Sequence, residues 1–241
     1  MSVALVTGSS RGIGRAIAER LGANGDSVVV NYHSDRGAAD KVVATIEAAG
    51  GQAIAAQADV TDVSQLRGLF DLAEERFGGL DILVNNVGVA RFATIAEATD
   101  ADFDLVFATN VKATFVALRE AANRLRDNGR IVVISSGVTA THRPDSGVYG
   151  ASKAAVEQLV RVLAREIGGR KITVNNVLPG PTETEALASN RSREELAHVT
   201  TQTPLGRIGQ PDDIAEVVAF LTSDAARWIT GESIHGGGGL F

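Results

Sequence analysis

The sequence predicts a single-domain α/β protein, built on a doubly wound parallel sheet of about seven strands with helices on both faces. Three observations lead to this prediction. Short apolar runs rich in Val and Ile alternate with longer stretches of helical periodicity along the whole chain. Polar and glycine-rich clusters directly follow several of these runs, as is typical at the carboxyl ends of parallel strands. No repeat or linker interrupts the 241 residues, a common size for one α/β domain.

The composition fits this class and excludes several others. Hydrophobic residues make up 44% of the chain, which is enough for a large core. The 26 Gly and 5 Pro follow no period, so collagen-like and low-complexity chains are excluded. The absence of Cys excludes disulfides, iron–sulfur clusters, thiolate zinc sites and Cys nucleophiles. The net charge of −6 gives no electrostatic reason to bind nucleic acid or an anionic membrane.

The chain shows no targeting or membrane-spanning pattern. It enters an apolar strand at once, without a basic leader, and no apolar run is long enough to cross a bilayer. We therefore expect a soluble, cytoplasmic protein with no membrane partner. The four His are scattered, so we expect no metal site.

The first strand, at residues 2–6, runs into a glycine-rich loop and then a helix. The glycines are Gly8, Gly12 and Gly14, in the spacing G-x-x-x-G-x-G. Glycines let the backbone turn tightly and approach a pyrophosphate, whose charge is favoured at the N-terminus of the following helix. Such a loop also occurs as a plain tight turn. Its position between the first strand and a helix favours a dinucleotide site.

The second strand, at residues 27–32, ends where the adenine ribose of a dinucleotide would lie. An NAD-selective site usually has a carboxylate there, but residues 31–34 contain no acid. Arg11 in the glycine loop, helped by Ser34 and Arg36, is suited to bind a 2′-phosphate. The two arginines are also compatible with plain surface charges. We expect NADP(H) to be preferred and keep NAD(H) as an alternative.

The rest of the chain continues the alternation. Helices are predicted at residues 35–49, 62–77, 102–126, 149–167 and 211–223, and strands at residues 52–57, 80–84, 130–135, 172–178 and 228–235. The polar stretch at residues 182–203 is predicted to be a substrate loop. Asp59, after the third strand, fits either the adenine edge of a nucleotide site or the cap of the next turn.

Asn110 stands in the middle of the long helix predicted at residues 102–126. Asn is unfavourable there because its amide competes for the backbone hydrogen bonds of the helix. Two interpretations stay open. Asn110 is either an ordinary helix residue or a buried one that holds a local kink and a water.

A Tyr and a Lys are four residues apart in the stretch Tyr149-Gly150-Ala151-Ser152-Lys153. Residues at this spacing share one face of a helix. The pKa of a phenol is normally near ~10, and a fixed ammonium nearby lowers it towards the pH at which proton exchange is efficient. An isolated pair of this kind is usually a surface pair, so its meaning depends on the rest of the chain.

Together these residues resemble the short-chain dehydrogenase/reductase family over essentially the whole chain, which implies a Rossmann fold. Two features depart from the family pattern: Val87 replaces the usual Ala, and Gly236-Gly237-Gly238-Gly239 replaces Val-Asp-Gly-Gly. Bacterial 3-oxoacyl-carrier-protein reductases and glucose-dehydrogenase-like members are the most similar groups. The matching pieces, in family-like order and spacing, are Thr7-Gly8-x-x-x-Gly12-x-Gly14, Asn85-Asn86-x-Gly88, Asn110, Ser136, Tyr149-x-x-x-Lys153 and Pro179-Gly180.

The resemblance implies a catalytic role for four side chains. Tyr149 is expected to donate a proton to a carbonyl oxygen that Ser136 also binds. Ser136 is chosen over Ser135 because it lies thirteen residues before Tyr149, as family members place it. Lys153 is expected to lower the pKa of Tyr149 and to hold the nicotinamide ribose. Asn110 is expected to anchor a water that links Lys153 to solvent.

The resemblance also implies a set of cofactor contacts at the ends of the strands. They surround the pyrophosphate, the adenine, the two riboses and the nicotinamide. The implied residues are Gly8, Ser10, Arg11, Gly12, Ile13, Gly14, Asn31, Tyr32, Ser34, Asp59, Val60, Asn85, Val87, Gly88, Tyr149, Lys153, Pro179, Gly180, Thr182 and Thr184.

The expected function is NADPH-dependent reduction of a carbonyl compound, foremost a 3-oxoacyl thioester of fatty acid synthesis. Arg126, Arg170 and Lys171 could contact an acidic acyl-carrier protein, although they are also compatible with solvated surface charges. One alternative is a sugar or secondary-alcohol dehydrogenase of the same family. The other is a catalytically silent NADP(H)-binding sensor. A homotetramer is expected from the resemblance.

Overall fold

The computed structural model describes residues 1–185, 187 and 193–241. The helices are α1 Gly12–Ala23, α2 Arg36–Ala48, α3 Val63–Phe77, α4 Asp100–Phe107, α5 Ala113–Arg124, α6 Val138–Thr141, α7 Gly147–Glu166, α8 Arg193–Gln202 and α9 Pro211–Thr222. The strands are β1 Val3–Val6, β2 Ser27–Tyr32, β3 Gln52–Gln57, β4 Ile82–Asn85, β5 Arg130–Ile134, β6 Thr173–Pro179 and β7 Ser233–Gly236.

The described strands form one seven-stranded sheet in the order β3-β2-β1-β4-β5-β6-β7. All neighbouring strands are parallel. The strand order reverses between β1 and β4, which pair through Val6 and Val84. In an open parallel sheet, a crevice forms outside the carboxyl ends of the strands at such a reversal. The predicted doubly wound α/β fold is confirmed.

The two faces of the sheet each pack against their own helices. Successive residues of a strand point to opposite faces, and β1 follows this rule: Val3 and Leu5 face one core, and Ala4 and Val6 face the other. The first core includes residues of α3, α5 and α7, and the second includes residues of α1, α2 and α9. Because both faces are covered, the strands are continuous apolar runs rather than alternating ones.

Most predicted elements are present, with shifted ends. The structure places β2 and β3 at the predicted residues and shortens the last strand, predicted at 228–235, to Ser233–Gly236. Trp228, predicted inside that strand, is 96% exposed. The short helix α6 was not predicted, because four residues carry too little periodicity to reveal a helix.

The long helix predicted at residues 102–126 is interrupted. It consists of α4, a π-helical turn at Ala108–Lys112, and α5. A π-helical turn leaves the apolar pattern of the flanking helices nearly intact, and such turns are frequent at functional sites. Of the two interpretations left open for Asn110, the structure has the buried residue in a local distortion of the helix.

The predicted loop at residues 182–203 was wrong in part, because Arg193–Gln202 of this stretch form α8. The polar composition of α8 hid its helical character. Residues 186 and 188–192 of that stretch lie outside the described residues. Among the residues that the structure does describe, no helix is both long and apolar enough to cross a bilayer.

Candidate active site

The glycine loop after β1 has a backbone that needs glycine. Gly8 and Gly12 have φ angles of +62° and +55°, in the left-handed region that glycine adopts readily. A Cβ atom on Gly14 would lie 2.3 Å from the Gly8 carbonyl oxygen. The first turn of α1 has no side-chain cap, so its backbone N–H groups are available to an anion. These features fit a pyrophosphate.

Two asparagines hold the glycine loop in place. The Gly8 N–H donates to Asn31 Oδ1 at 2.9 Å, and Asn86 Nδ2 donates to the Gly8 carbonyl at 3.1 Å. The Asn86 N–H also donates to Thr7 Oγ1 at 2.9 Å. Tyr32 lies buried in the core behind β2. Asn31 and Tyr32 therefore stabilise the edge where the cofactor is predicted to bind. The Asn31 side chain holds the glycine loop, and the Tyr32 side chain packs in the core.

The side chains suited to a 2′-phosphate lie at the surface near β2. Arg11 is 76% exposed and its Nη1 lies 3.5 Å from Glu185 Oε2. Arg36 Nε lies 3.4 Å from Asp40 Oδ2, one helical turn away. Ser34 is exposed and Ser10 is half-buried. Weak exposed ion pairs of this kind leave both arginines able to turn to a stronger anion.

Asp59 forms the turn after β3. Its Oδ1 accepts hydrogen bonds from the Thr61 N–H at 2.9 Å and from Thr61 Oγ1 at 2.7 Å. These hydrogen bonds lower the pKa of Asp59 below its ordinary value, with a smaller contribution from His33. Val60 is buried in the core. The capping interpretation of Asp59 is therefore present in the structure, and an adenine contact stays a prediction.

Tyr149 lies in the first turn of α7, where it meets Ser136 from the end of β5. Burial raises the pKa of Tyr149 above its ordinary value, and the Ser136 side chain lowers it by a smaller amount. Ser136 Oγ also accepts the Val138 N–H at 3.3 Å. Ser135 is directed elsewhere, since its Oγ donates to Glu157 Oε1 at 2.8 Å. The geometry supports the choice of Ser136.

Lys153 lies one turn further along α7, below Tyr149. Its Nζ lies 5.9 Å from the centroid of the Tyr149 ring and donates to the Ile134 carbonyl at 2.9 Å. Burial lowers the pKa of Lys153 to about 8, and the negative charge of Glu157 opposes that decrease. The predicted lowering of the Tyr149 pKa by Lys153 stays a prediction.

Asn110 lies buried in the π-helical turn and fixes the loop after β4. Its Oδ1 accepts the Val89 N–H at 2.8 Å, and its Nδ2 donates to the Val89 carbonyl at 2.8 Å and to Ser152 Oγ at 3.0 Å. The π-helical turn thus serves to aim this amide at the loop and at α7. The water that Asn110 was predicted to anchor stays a prediction.

The loop after β4 brings the glycine loop and Lys153 together. A Cβ atom on Gly88 would lie 3.1 Å from Lys153 Nζ and 3.3 Å from Asn110 Oδ1. Val87 packs on the core, and a Cβ on Gly8 would lie 2.8 Å from Val87 Cγ2. Gly8 thus makes room for the larger Val87. Asn85 Nδ2 donates to Thr114 Oγ1 at 2.9 Å.

The predicted cofactor residues after β6 face the glycine loop. A Cβ on Gly12 would lie 3.4 Å from Thr184 Cγ2. Thr182 is buried, and its Oγ1 donates to the Gly180 carbonyl at 2.9 Å. The Pro179 carbonyl accepts the Gly137 N–H at 2.9 Å, next to Ser136. Ile13, in the first turn of α1, packs against the core between α1 and the sheet.

Two aromatic rings lie next to the Ser136 and Tyr149 pair. The Phe92 ring meets the Tyr149 ring edge to face, with centroids 5.8 Å apart, and Arg143 lies over Phe92 at 4.8 Å. The Phe241 ring occupies the space that a Cβ of Gly137, the residue after Ser136, would take.

The sequence did not reveal several residues that build this site. Asn86 and Ser152 lie inside the matched motifs, but nothing in their spacing shows which backbone groups they bind. Phe92 and Phe241 lie far from Tyr149 in the chain and carried no signal. Across residues 1–185, 187 and 193–241, no group of three or more His, Cys, Asp and Glu side chains could hold a metal ion.

Comparisons with known proteins point to one family. A family model described as enoyl-(acyl carrier protein) reductase matches residues 8–240. An uncharacterized oxidoreductase of Methylorubrum extorquens is 50% identical over 240 residues, covering 99% of this chain and 97% of its own. Versicolorin reductase stcU of Emericella nidulans is 45% identical over 252 residues, covering 99% and 95%. The crystal structure of the angucycline C-6 ketoreductase LanV with bound NADP superposes with a TM-score of 0.94 at 43% identity, covering 99% and 95%.

Proposed function

Because the chain belongs to the short-chain dehydrogenase/reductase family, we propose that it reduces ketones with NADPH and uses Tyr149 as the proton donor. One observation carries this proposal: the Ser136 side chain acts on the Tyr149 hydroxyl to lower its pKa, and Lys153 lies one helical turn away, at the edge where the glycine loop also ends. One similar protein is named versicolorin reductase, and another is named a C-6 ketoreductase and has NADP bound.

The residues at the sheet edge fit a dinucleotide. Gly8, Gly12 and Gly14 leave the space that a pyrophosphate needs above the first turn of α1. Lys153 and Tyr149 lie beyond Gly88, on the side where the nicotinamide ribose would be held. The absence of a carboxylate at residues 31–34 supports NADP(H) over NAD(H), with Arg11 as the residue to bind the 2′-phosphate.

The chemistry follows from where charge develops. When bound, the reduced nicotinamide supplies a hydride to the carbonyl carbon of the substrate, and negative charge grows on the carbonyl oxygen. Ser136 and Tyr149 stabilise that oxygen by donating hydrogen bonds to it, and Tyr149 then gives it a proton. Lys153 stabilises the tyrosinate that is left behind. Asn110 holds the loop at Val89 and the helix at Ser152 in register.

We favour a cyclic ketone over a flexible acyl chain as the substrate class. Phe92 packs against Tyr149, and Phe241 packs against Gly137 next to Ser136, so an aromatic side chain adjoins each of the two reacting residues. The similar proteins named as versicolorin and angucycline reductases are consistent with such a substrate. A 3-oxoacyl thioester of fatty acid synthesis is the second candidate, since the matching family model is named for carrier-protein chemistry.

The positions of the basic residues argue against an acyl-carrier protein as the partner. Arg126 pairs with Asp81 at 3.1 Å, and Arg170 pairs with Asp127 at 2.8 Å. Both arginines, with Lys171, lie near the amino ends of the strands, at the edge opposite Tyr149. A carrier that docked there could not deliver its substrate to the site. We therefore propose a free small-molecule substrate.

The experiment is a substrate panel followed by NADPH absorbance. We expect cyclic aromatic ketones to be reduced with higher kcat/KM than 3-oxoacyl thioesters, and NADPH to be used better than NADH. Faster oxidation of sugars or secondary alcohols with NADP⁺ would favour the dehydrogenase alternative. Tight NADPH binding without turnover of any carbonyl compound would favour the silent sensor and contradict the proposal.

We further propose that the protein is a cytoplasmic homotetramer. A groove of about 260 Å³ between α5 and α7 is lined by apolar residues together with Arg119 and Glu166. Phe115 and Val162 in this groove are 45% and 44% exposed, and together they form an apolar surface that a second subunit would cover. A two-fold axis through the groove would let Arg119 of one subunit meet Glu166 of the next.

A further inference from the structure

A buried carboxylate lies one helical turn beyond Lys153, and the mechanism above does not use it. Glu157 is on α7, four residues after Lys153, and is only 5% exposed. Burial of a carboxylate costs free energy unless the group is paired and hydrogen-bonded. An apolar side chain at this position would avoid the free-energy cost of burying a charge. The contacts of Glu157 therefore show what the buried carboxylate does in the structure.

Glu157 binds the chain on both sides of Ser136. Its Oε1 atom accepts hydrogen bonds from Ser135 Oγ and from Thr139 Oγ1, both at 2.8 Å. Thr139 Oγ1 also lies 3.1 Å from the Ser136 carbonyl oxygen, within reach of the same hydroxyl hydrogen. Glu157 Oε2 lies 3.5 Å from Arg161 at the protein surface. The loop that carries Ser136 is thus fastened to α7 by one carboxylate.

Lys153 is fastened to the same segment. Its Nζ donates to the carbonyl of Ile134, the residue before Ser135. The groups around the ammonium are Tyr149 and Glu157 on its own helix, the Ile134 carbonyl on β5, and the uncharged Asn110 amide across Gly88. Glu157 is the acidic member of this set. The charge of Glu157 therefore acts on Lys153, below Tyr149, and its hydrogen bonds hold the loop that carries Ser136.

We propose that Glu157 is a positioning residue that ties the loop of Ser136 to the helix of Tyr149 and Lys153, so that both hydroxyls meet one substrate oxygen. This inference rests on the proposed ketone reduction. The carboxylate touches neither substrate nor cofactor in this role. It fixes the distance between the two donors and supplies a fixed negative charge below the ammonium of Lys153.

Two kinds of variant separate the charge from the hydrogen bonds. Glu157→Gln keeps an acceptor oxygen for Ser135 and Thr139 but removes the charge. The double variant Ser135→Ala/Thr139→Val keeps the charge but removes both donors. The surface variant Glu75→Gln, on the exposed side of α3, makes the same chemical change far from the site and serves as the control.

The measured quantities are kcat, the KM for NADPH and the pH dependence of kcat for ketone reduction. We expect the double variant to lose about tenfold in kcat, on the order of one buried hydrogen bond, with the pH profile unmoved. In Glu157→Gln the pKa of Lys153 falls, because an opposing negative charge is gone. The basic limb of its profile should therefore move to lower pH. Both variants should keep the wild-type KM for NADPH within about twofold.

Two outcomes would overturn the inference. One is wild-type kcat and an unmoved pH profile in both folded variants, even with a lower Tm, since that would make Glu157 a stability residue only. The other is an effect of equal size in Glu75→Gln. If the wild-type protein itself reduces no ketone, the proposed function fails first, and this result is distinct from a reductase that tolerates the loss of Glu157.

Discussion

Polar side chains at the sheet edge fall into two groups with different tasks. The amides of Asn31, Asn86 and Asn110 bind backbone groups and so set the shape of the loops. The hydroxyls of Ser136 and Tyr149 meet each other at the mouth of the site. Buried polar groups need partners, and the first group has them within the protein. We propose that the second group, Ser136 and Tyr149, binds the carbonyl oxygen of the substrate.

The titration of Lys153 predicts how the rate depends on pH. The folded protein holds the pKa of Lys153 at about 8, below its ordinary value of 10.5. Reduction needs the ammonium form, so kcat should be constant below that pH and fall as the pH rises through about 8. Steady-state rates with saturating NADPH between pH 6 and pH 10 measure this. A flat profile up to pH 10 would contradict the assigned role.

Arg11 predicts the selectivity between the two nicotinamide cofactors. Arg11→Ala should raise the KM for NADPH by about tenfold, because a charge-assisted hydrogen bond to the 2′-phosphate is lost. The KM for NADH should change by less than about twofold. Parallel titrations of both cofactors measure the ratio, and Arg67→Ala on α3 serves as the control. An equal change in KM for both cofactors would show that Arg11 does not bind the 2′-phosphate.

The π-helical turn at Ala108–Lys112 shows how one helix serves the site. A regular α-helix would carry Asn110 past the loop, and the widened turn brings its amide against Val89 and Ser152 instead. The flanking helices α4 and α5 keep their apolar contacts with the core. The distortion is local, and it allows Asn110 to fix the geometry of the loop after β4.

Loss of the Asn110 amide should weaken both the fold and the reaction. Asn110→Ala leaves the Val89 N–H and carbonyl without a side-chain partner, at a cost of about 2 kcal/mol in the free energy of unfolding. For a chain of this length that corresponds to a drop in Tm of about 4–8 °C. Thermal unfolding measures it, and kcat should fall in the same variant. A wild-type Tm would contradict the contacts described.

In the whole molecule, the loops after β1, β4, β5 and β6 lie at one edge of the sheet. This arrangement could be predicted from the sequence. Continuous apolar runs predicted buried parallel strands, and the polar residues after them predicted a common edge. Side-chain partners were harder to foresee. Glu157 binds hydroxyls from residues about twenty positions earlier, so no local pattern could reveal it. The π-helical turn was one of two open interpretations of Asn110, and α8 was missed because its polar composition hides the apolar period of a helix.

Assembly is a property of the molecule as a whole, and the groove between α5 and α7 predicts it. Val162→Arg should convert the expected tetramer into a smaller species, because a buried charge opposes the apolar contact. Light scattering coupled to size exclusion measures the mass. Ala44→Arg on the exposed face of α2 introduces the same charge elsewhere and should leave the mass unchanged. A wild-type protein of monomer mass would rule out the tetramer.

We propose that Tyr149, with its proton transfer promoted by Lys153 and Ser136, protonates the carbonyl oxygen as hydride arrives. The most direct measurement compares Tyr149→Phe with the wild type in NADPH-dependent ketone reduction and in NADPH binding. We expect kcat to fall by more than ~100-fold, as for loss of a general acid, while the Kd for NADPH stays within about threefold. An unchanged kcat in Tyr149→Phe would show that Tyr149 is not the proton donor.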